Sequence, residues 1–138
     1  MARKTYHGSC HCGDVRYTAA LDIGAGTAKC NCTMCLKMRI WHVMMKAEHF
    51  SLLSDPDLMT EYQWIPAGQT QSRMHTFFCK HGGTSMFAWR DFPDGRYYGI
   101  QVTTLDDLDN DELAAAPVKF EDGRNDRFDR TPDDIRLL

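Results

Sequence analysis

The stretch Cys30-Asn31-Cys32-Thr33-Met34-Cys35 places three thiols within six residues, and it is not alone. Upstream lies Cys10-His11-Cys12, and downstream Cys79 sits in Phe78-Cys79-Lys80-His81-Gly82-Gly83. These are all six cysteines of the chain, and five fall in two tight clusters. A C-x-C pair closes on itself as a disulfide only with strain. It readily presents two sulfurs to one metal, and zinc favours four tetrahedral Cys or His ligands. Cys30, Cys32 and Cys35 would fill three positions and leave the fourth open, the arrangement of catalytic rather than structural zinc. Cys10, Cys12 and Cys79 form a second three-thiol set, for which His81 is the nearest candidate fourth ligand. The competing readings are scattered buried thiols, a single four-cysteine site with spectators, and an iron–sulfur cluster, whose usual spacings differ. His7, His11, His42, His49 and His75 read as surface or packing residues.

Outward from the clusters, the chain of 138 residues has the size of one domain. A hydrophobic fraction of 43%, with 11% aromatic, suffices for a core. The net charge of -3 and a pI near 6.0 argue against a nucleic-acid module. Neither a signal-peptide pattern nor an apolar run of membrane-spanning length is found. A cytoplasmic location is therefore expected, where thiols stay reduced.

The periodicity predicts a mostly β fold. Val15, Tyr17 and Ala19 alternate with polar residues directly after the first cluster. Strands are predicted at 40–45, 50–53, 58–64, 73–78, 84–89 and 96–104, with a short helix within 107–116 and a last strand at 118–120. Beyond Asp122 the polar, charged composition predicts a surface tail over 121–138. No repeat or linker interrupts the chain, so it reads as a single zinc-binding domain, 1–138, with knuckles clamping β-sheets.

Taken in order, the motifs are similar to those of a known family. Gly8-Ser9-Cys10-His11-Cys12-Gly13-Asp14-Val15-Arg16-Tyr17 resembles G-x-C-x-C-G-x-V-x-Y, and Cys30 to Cys35 resembles C-x-C-x-x-C. Phe78 to Thr84 resembles F-C-x-x-C-G-T, and Leu105-Asp106-Asp107 a late L-D-D turn. The set, spanning about residues 6–110, resembles the glutathione-dependent formaldehyde-activating enzyme family, which shares a domain with centromere protein V. The resemblance implies coiled β-sheets of the Mss4-like type. It implies a structural zinc on Cys10, Cys12, Cys79 and position 82, and a catalytic zinc on Cys30, Cys32 and Cys35. The implied reaction is a carbon–sulfur lyase one, joining formaldehyde to glutathione as S-(hydroxymethyl)glutathione. Here Gly82 replaces the fourth structural cysteine, so His81 substitutes, a water completes the site, or that zinc is weakened or absent. Lys37, Arg39, Arg73 and Arg90 are candidates for the two carboxylates of glutathione. Trp41, Trp64 and Trp89 read as core before pocket wall. A non-catalytic zinc-stabilised binding module is the alternative function.

Overall fold

The computed structural model describes residues 3–138. Two sheets carry the fold. β1 (Lys4–Ser9) and β2 (Arg16–Leu21) form an antiparallel hairpin, and β5 (Phe50–Leu52) pairs with the far side of β2. The second sheet has seven strands in the order β10-β3-β4-β9-β8-β7-β6. They are β10 (Val118–Glu121), β3 (Thr27–Cys30), β4 (His42–Lys46), β9 (Gly95–Gln101), β8 (Ser85–Phe92), β7 (Met74–Cys79) and β6 (Met59–Trp64). The β10–β3 pair is parallel and the other pairs are antiparallel.

The alternation in β2 positions the core. Tyr17, Ala19 and Leu21 point inward and are buried, while their neighbours face outward. Val15, Met86, Ile100 and Val102 are fully buried beside them. An aromatic stack joins the sheets. Tyr17 and Phe50 come from the small sheet, Phe87 and Tyr98 from the large one, with ring centroids between 4.1 and 5.6 Å apart. Such pairs add about 0.5–1.5 kcal/mol each beyond their area burial.

The turn after β9 latches onto the hairpin. The Tyr17 and Thr104 hydroxyls hydrogen-bond at 2.6 Å, Ser9 Oγ donates to Asp106, and the His7 backbone N–H donates to Asp107. Leu105-Asp106-Asp107 is thus a structural clasp on β1.

Several predicted elements need redrawing. β1 lies where no strand was expected, because Tyr6 is its one buried large apolar residue. β3 and the helix α1 (Thr33–Met38), on either side of Cys32, were also not foreseen. The expected helix is α2 (Asn110–Ala115), capped by the Asp109 side chain. The long strand predicted to Thr104 ends at Gln101 and gives way to a 3-10 turn.

The segment beyond Glu121 is not a purely surface tail. Asp122 is 1% exposed. Its carboxylate accepts hydrogen bonds from the Asn31 and Asn125 side-chain amides and from Arg130, which together hold it below the usual carboxylate range. Its backbone N–H lies 3.2 Å from the carbonyls of both Arg127 and Arg130. A buried carboxylate with this many donors organises the loop around itself. Residues 122–130 therefore form an ordered arm tied to the second cysteine cluster through Asn31.

Gly8 is set by a close approach. It lies opposite Tyr17 in the hairpin register, and an added Cβ would sit inside the Tyr17 ring. Gly8→Ala must therefore displace a fully buried aromatic. We expect a loss of about 1–3 kcal/mol in urea unfolding; an unchanged midpoint would mean the ring does not cover this glycine.

Candidate metal centres

The six cysteines are free and are drawn into two groups of three. Within each group the sulfurs lie within 4.8 Å of one another. One four-cysteine site with spectators is thereby ruled out. Neither triad includes a fourth Cys, His, Asp or Glu donor among the described residues.

The first triad joins the two sheets. Cys10 and Cys12 sit in the turn between β1 and β2, and Cys79 ends β7. Cys12 Sγ and Cys79 Sγ are 3.5 Å apart. A disulfide would need about 2.05 Å, whereas sulfurs 2.3 Å from a tetrahedral zinc sit about 3.8 Å apart. The spacing suits a metal. The backbone N–H of Gly82 points at Cys79 Sγ from 3.4 Å. Position 82 faces the cluster, because an added Cβ would run into Cys10 Sγ and lie 3.2 Å from Cys12 Sγ. Glycine leaves that side without a ligand atom. His81 is not brought into the group: its Nδ1 hydrogen-bonds the Asp14 carboxylate, and the ring is largely exposed.

The second triad is local. Cys30 ends β3, Cys32 caps α1 and Cys35 lies in its first turn. Backbone N–H groups of Cys32 and Cys35 point at the sulfurs of Cys30 and Cys32, from 3.4 and 3.3 Å. Six residues are too few to hold a helix by propensity alone, and none of the residues of α1 is buried. The turn is held at its start by the Cys32 cap. At its end Arg39 adopts a left-handed conformation, φ 55°, with its N–H bonded back to the last turn. Gly123, in the C-terminal arm, covers Cys30: an added Cβ there would collide with Cys30 Sγ.

The thiols drive one another's protonation apart. Bonds from Cys30 and Cys35 pull Cys32 down to about 3. Cys30 is pushed up by its bond to Cys32, and Cys35 strongly up by bonds to Cys30 and Cys32. In the first triad burial raises Cys10, but bonds with Thr84 and Cys12 outweigh it and bring the thiol to about 6. The Asp14 backbone N–H lowers Cys12, yet burial and the bonds to Cys79 and Cys10 leave it raised. Three adjacent sulfurs cannot all ionise unaided, and a divalent cation removes that obstacle. The donor chemistry of both triads therefore fits zinc.

Three cavities surround α1. A groove of about 500 Å³ is lined by Cys10, Met38, Ser85, Thr103, Thr104 and Asp106. A recess of about 80 Å³ is bordered by Cys30, Cys35, Arg39 and Trp41. A third, largely apolar pocket brings Cys35 and His42 beside Met34, Met44, Met74 and Met86. Thr103 borders both the groove and the recess, and Gln101 and Ser85 border both the groove and the methionine pocket. Of the four cations marked in the sequence, Arg39 borders the recess beside Cys30 and Cys35, and Lys37 is exposed on α1. Arg73 lies near Asp126 and Arg90 stacks on Phe92. His42 is half-buried near Glu121, its pKa lowered by burial. Asn31, Asp122 and Gly123 carry no signal in the sequence, because their roles depend on contacts about ninety residues apart.

Residues 5–121 match the family model described as glutathione-dependent formaldehyde-activating enzyme. The chain belongs to that family. Its fold is also similar to a crystal structure of a Rhodobacter sphaeroides protein, with a TM-score of 0.65 at 20% identity, covering 82% of this chain and 99% of that one. At that identity the likeness speaks to the fold. Residues 122–138, which include the glycine over Cys30, lie beyond the family match.

A fourth thiolate at position 82 should close the first triad. In Gly82→Cys, the flexible end of Cys10 has to shift to admit the new Cβ. We expect the cobalt-substituted protein to move to a four-sulfur absorption spectrum. Zinc transfer to a chelator should slow at least about tenfold, or about 1.4 kcal/mol. Unchanged spectra and rates would mean position 82 does not face the metal.

Proposed function

We propose that this family member is a zinc-dependent carbon–sulfur lyase that joins a thiol, glutathione by preference, to formaldehyde at the Cys30–Cys32–Cys35 triad. The observation that carries the reading is a three-sulfur set, without a fourth side-chain donor among the described residues, bordering cavities through Cys30 and Cys35. Cys30, Cys32 and Cys35 would hold a zinc ion, which would stabilise an incoming thiol in its deprotonated form. The first triad, joining the two sheets, takes the structural role.

The chemistry is an addition. A carbon–sulfur bond forms as the C=O π pair moves to oxygen, and the proton lost by the thiol ends on that oxygen. No oxidant or reductant is consumed. The chain's contribution is chiefly to hold two reactants together, which supplies several kcal/mol of barrier lowering. The 500 Å³ groove, which touches Cys10 of the first triad and meets the recess beside the second at Thr103, falls within the size range of small-molecule sites, about 300–1,000 Å³. Its hydroxyls from Ser85, Thr103 and Thr104 suit the amides and carboxylates of a peptide thiol.

Among the described residues no helix is long and apolar enough to cross a membrane. A reducing, cytoplasmic compartment fits the two free-thiol triads. One observation favours a second reading, a non-catalytic zinc-stabilised binding module: Gly123 and the arm that carries it lie over Cys30.

Native mass spectrometry of the zinc-replete protein separates the two. We expect two zincs per chain and a glutathione adduct that falls at least tenfold in Cys35→Ser, paralleled by loss of accelerated exchange between ¹³C-formaldehyde and its glutathione adduct. Two zincs without an adduct would sink the lyase reading.

A further inference from the structure

The recess beside the second triad is partly filled by the chain itself. Arg39 Nη1 donates a 2.6 Å hydrogen bond to the Leu137 carbonyl, and Leu138 forms part of the wall with Cys30 and Cys35. The other cation of the recess, Lys29, lies 4.5 Å over the Trp41 ring. Among the described residues neither Lys29 nor Arg39 pairs with a carboxylate. Two cations beside a recess, satisfied only by a ring face and a backbone carbonyl, suit a carboxylate ligand.

We infer that this recess is a subsite for the carboxylate end of a peptide-like thiol, and that Leu137–Leu138 occupies it until such a ligand displaces them. The inference rests on the thiol-binding reading of the adjacent triad and adds to it the residues that hold the substrate's end. The Arg39 donor decides between coexistence and displacement. With Leu138 in the wall the cavity is about 80 Å³, and the Nη1 that a carboxylate would take is already bonded to the Leu137 carbonyl. The strap is lightly held: Leu137 is 68% exposed and Ile135 39%. Arg39, by contrast, is firmly placed. Its left-handed backbone is locked by bonds to Cys35 and Leu36, and its own carbonyl accepts from Gln101 Nε2. A non-glycine residue kept in that conformation is more often found at functional sites. The anchor of the arm lies elsewhere, at the buried Asp122, so Leu137–Leu138 can lift while residues 122–130 stay down.

The test uses S-methylglutathione, which has both carboxylates but cannot deliver a thiolate. Its binding is measured by calorimetry and by the Trp41 indole N–H resonance, in the zinc-loaded chain and in a chain lacking Leu137 and Leu138. If the strap is down nine-tenths of the time or more, its removal tightens binding at least about tenfold. Arg39→Ala in the shortened chain should then abolish the gain, and Arg39→Lys should restore part of it. Equal affinity with and without Leu137–Leu138 overturns the inference, as does absence of binding to either form. Tighter binding of S-methylglutathione by the shortened chain, with no S-hydroxymethyl adduct formed when that chain is given glutathione and formaldehyde, would leave the subsite standing and fail the lyase reading instead.

Discussion

Three thiols held within 4.8 Å of one another cannot all carry charge unless a cation sits among them. That constraint is imposed twice in this chain. At the first triad the sulfurs come from both sheets, so the hairpin of β1 and β2 is fastened to β7 by the same atoms that need the cation. Burial of Tyr17, Phe87 and their neighbours aligns the sheets, but it does not by itself stop three adjacent sulfurs from repelling. A metal bound there would add its affinity to the folding free energy. At the second triad the constraint acts over six residues, beside a helix too short to persist alone and held by the Cys32 cap and the Arg39 turn.

The two triads divide the work by position. The first lies between sheets that cannot move apart without exposing the aromatic stack, which suits a structural role even with glycine at position 82. The second borders two cavities through Cys30 and Cys35, whereas the large groove touches the first triad at Cys10. Asn31, between two of its cysteines, links it to Asp122 and so to an arm beyond the family match. The arm supplies Gly123 over Cys30 and Leu138 beside it. Access to the triad thus depends on residues beyond the family match, while the sulfurs lie within it.

Much of this architecture is legible in the sequence, and its gaps have physical causes. Alternation exposes β2 because one face is buried and the other is not. Clustered cysteines expose the second triad and the Cys10–Cys12 pair because that spacing is local, whereas Cys79 joins the pair across 67 residues. β3 is hidden because its four residues, Thr-Ala-Lys-Cys, include a half-buried lysine, and its parallel partner β10 lies about ninety positions away. The period of a helix cannot show in a six-residue turn whose one cysteine, Cys35, belongs to the triad. Asp122 reads as solvated charge because its partners Asn31, Asn125 and Arg130 leave no pattern. His81 looked like a ligand by adjacency alone, and its ring is instead bonded to Asp14. Nearness in sequence did not fix the direction in which the side chain points.

The central claim is that both triads hold zinc with three sulfur ligands and a fourth ligand from outside the chain's cysteines. Zinc K-edge X-ray absorption on the purified, zinc-loaded protein, with metal content measured on the same sample, tests it most directly. The expected result is two zincs per chain with an average first shell of three sulfurs near 2.3 Å and one lighter atom near 2.0 Å. A single zinc with four sulfurs, or thiols that bind no stoichiometric metal, would contradict it.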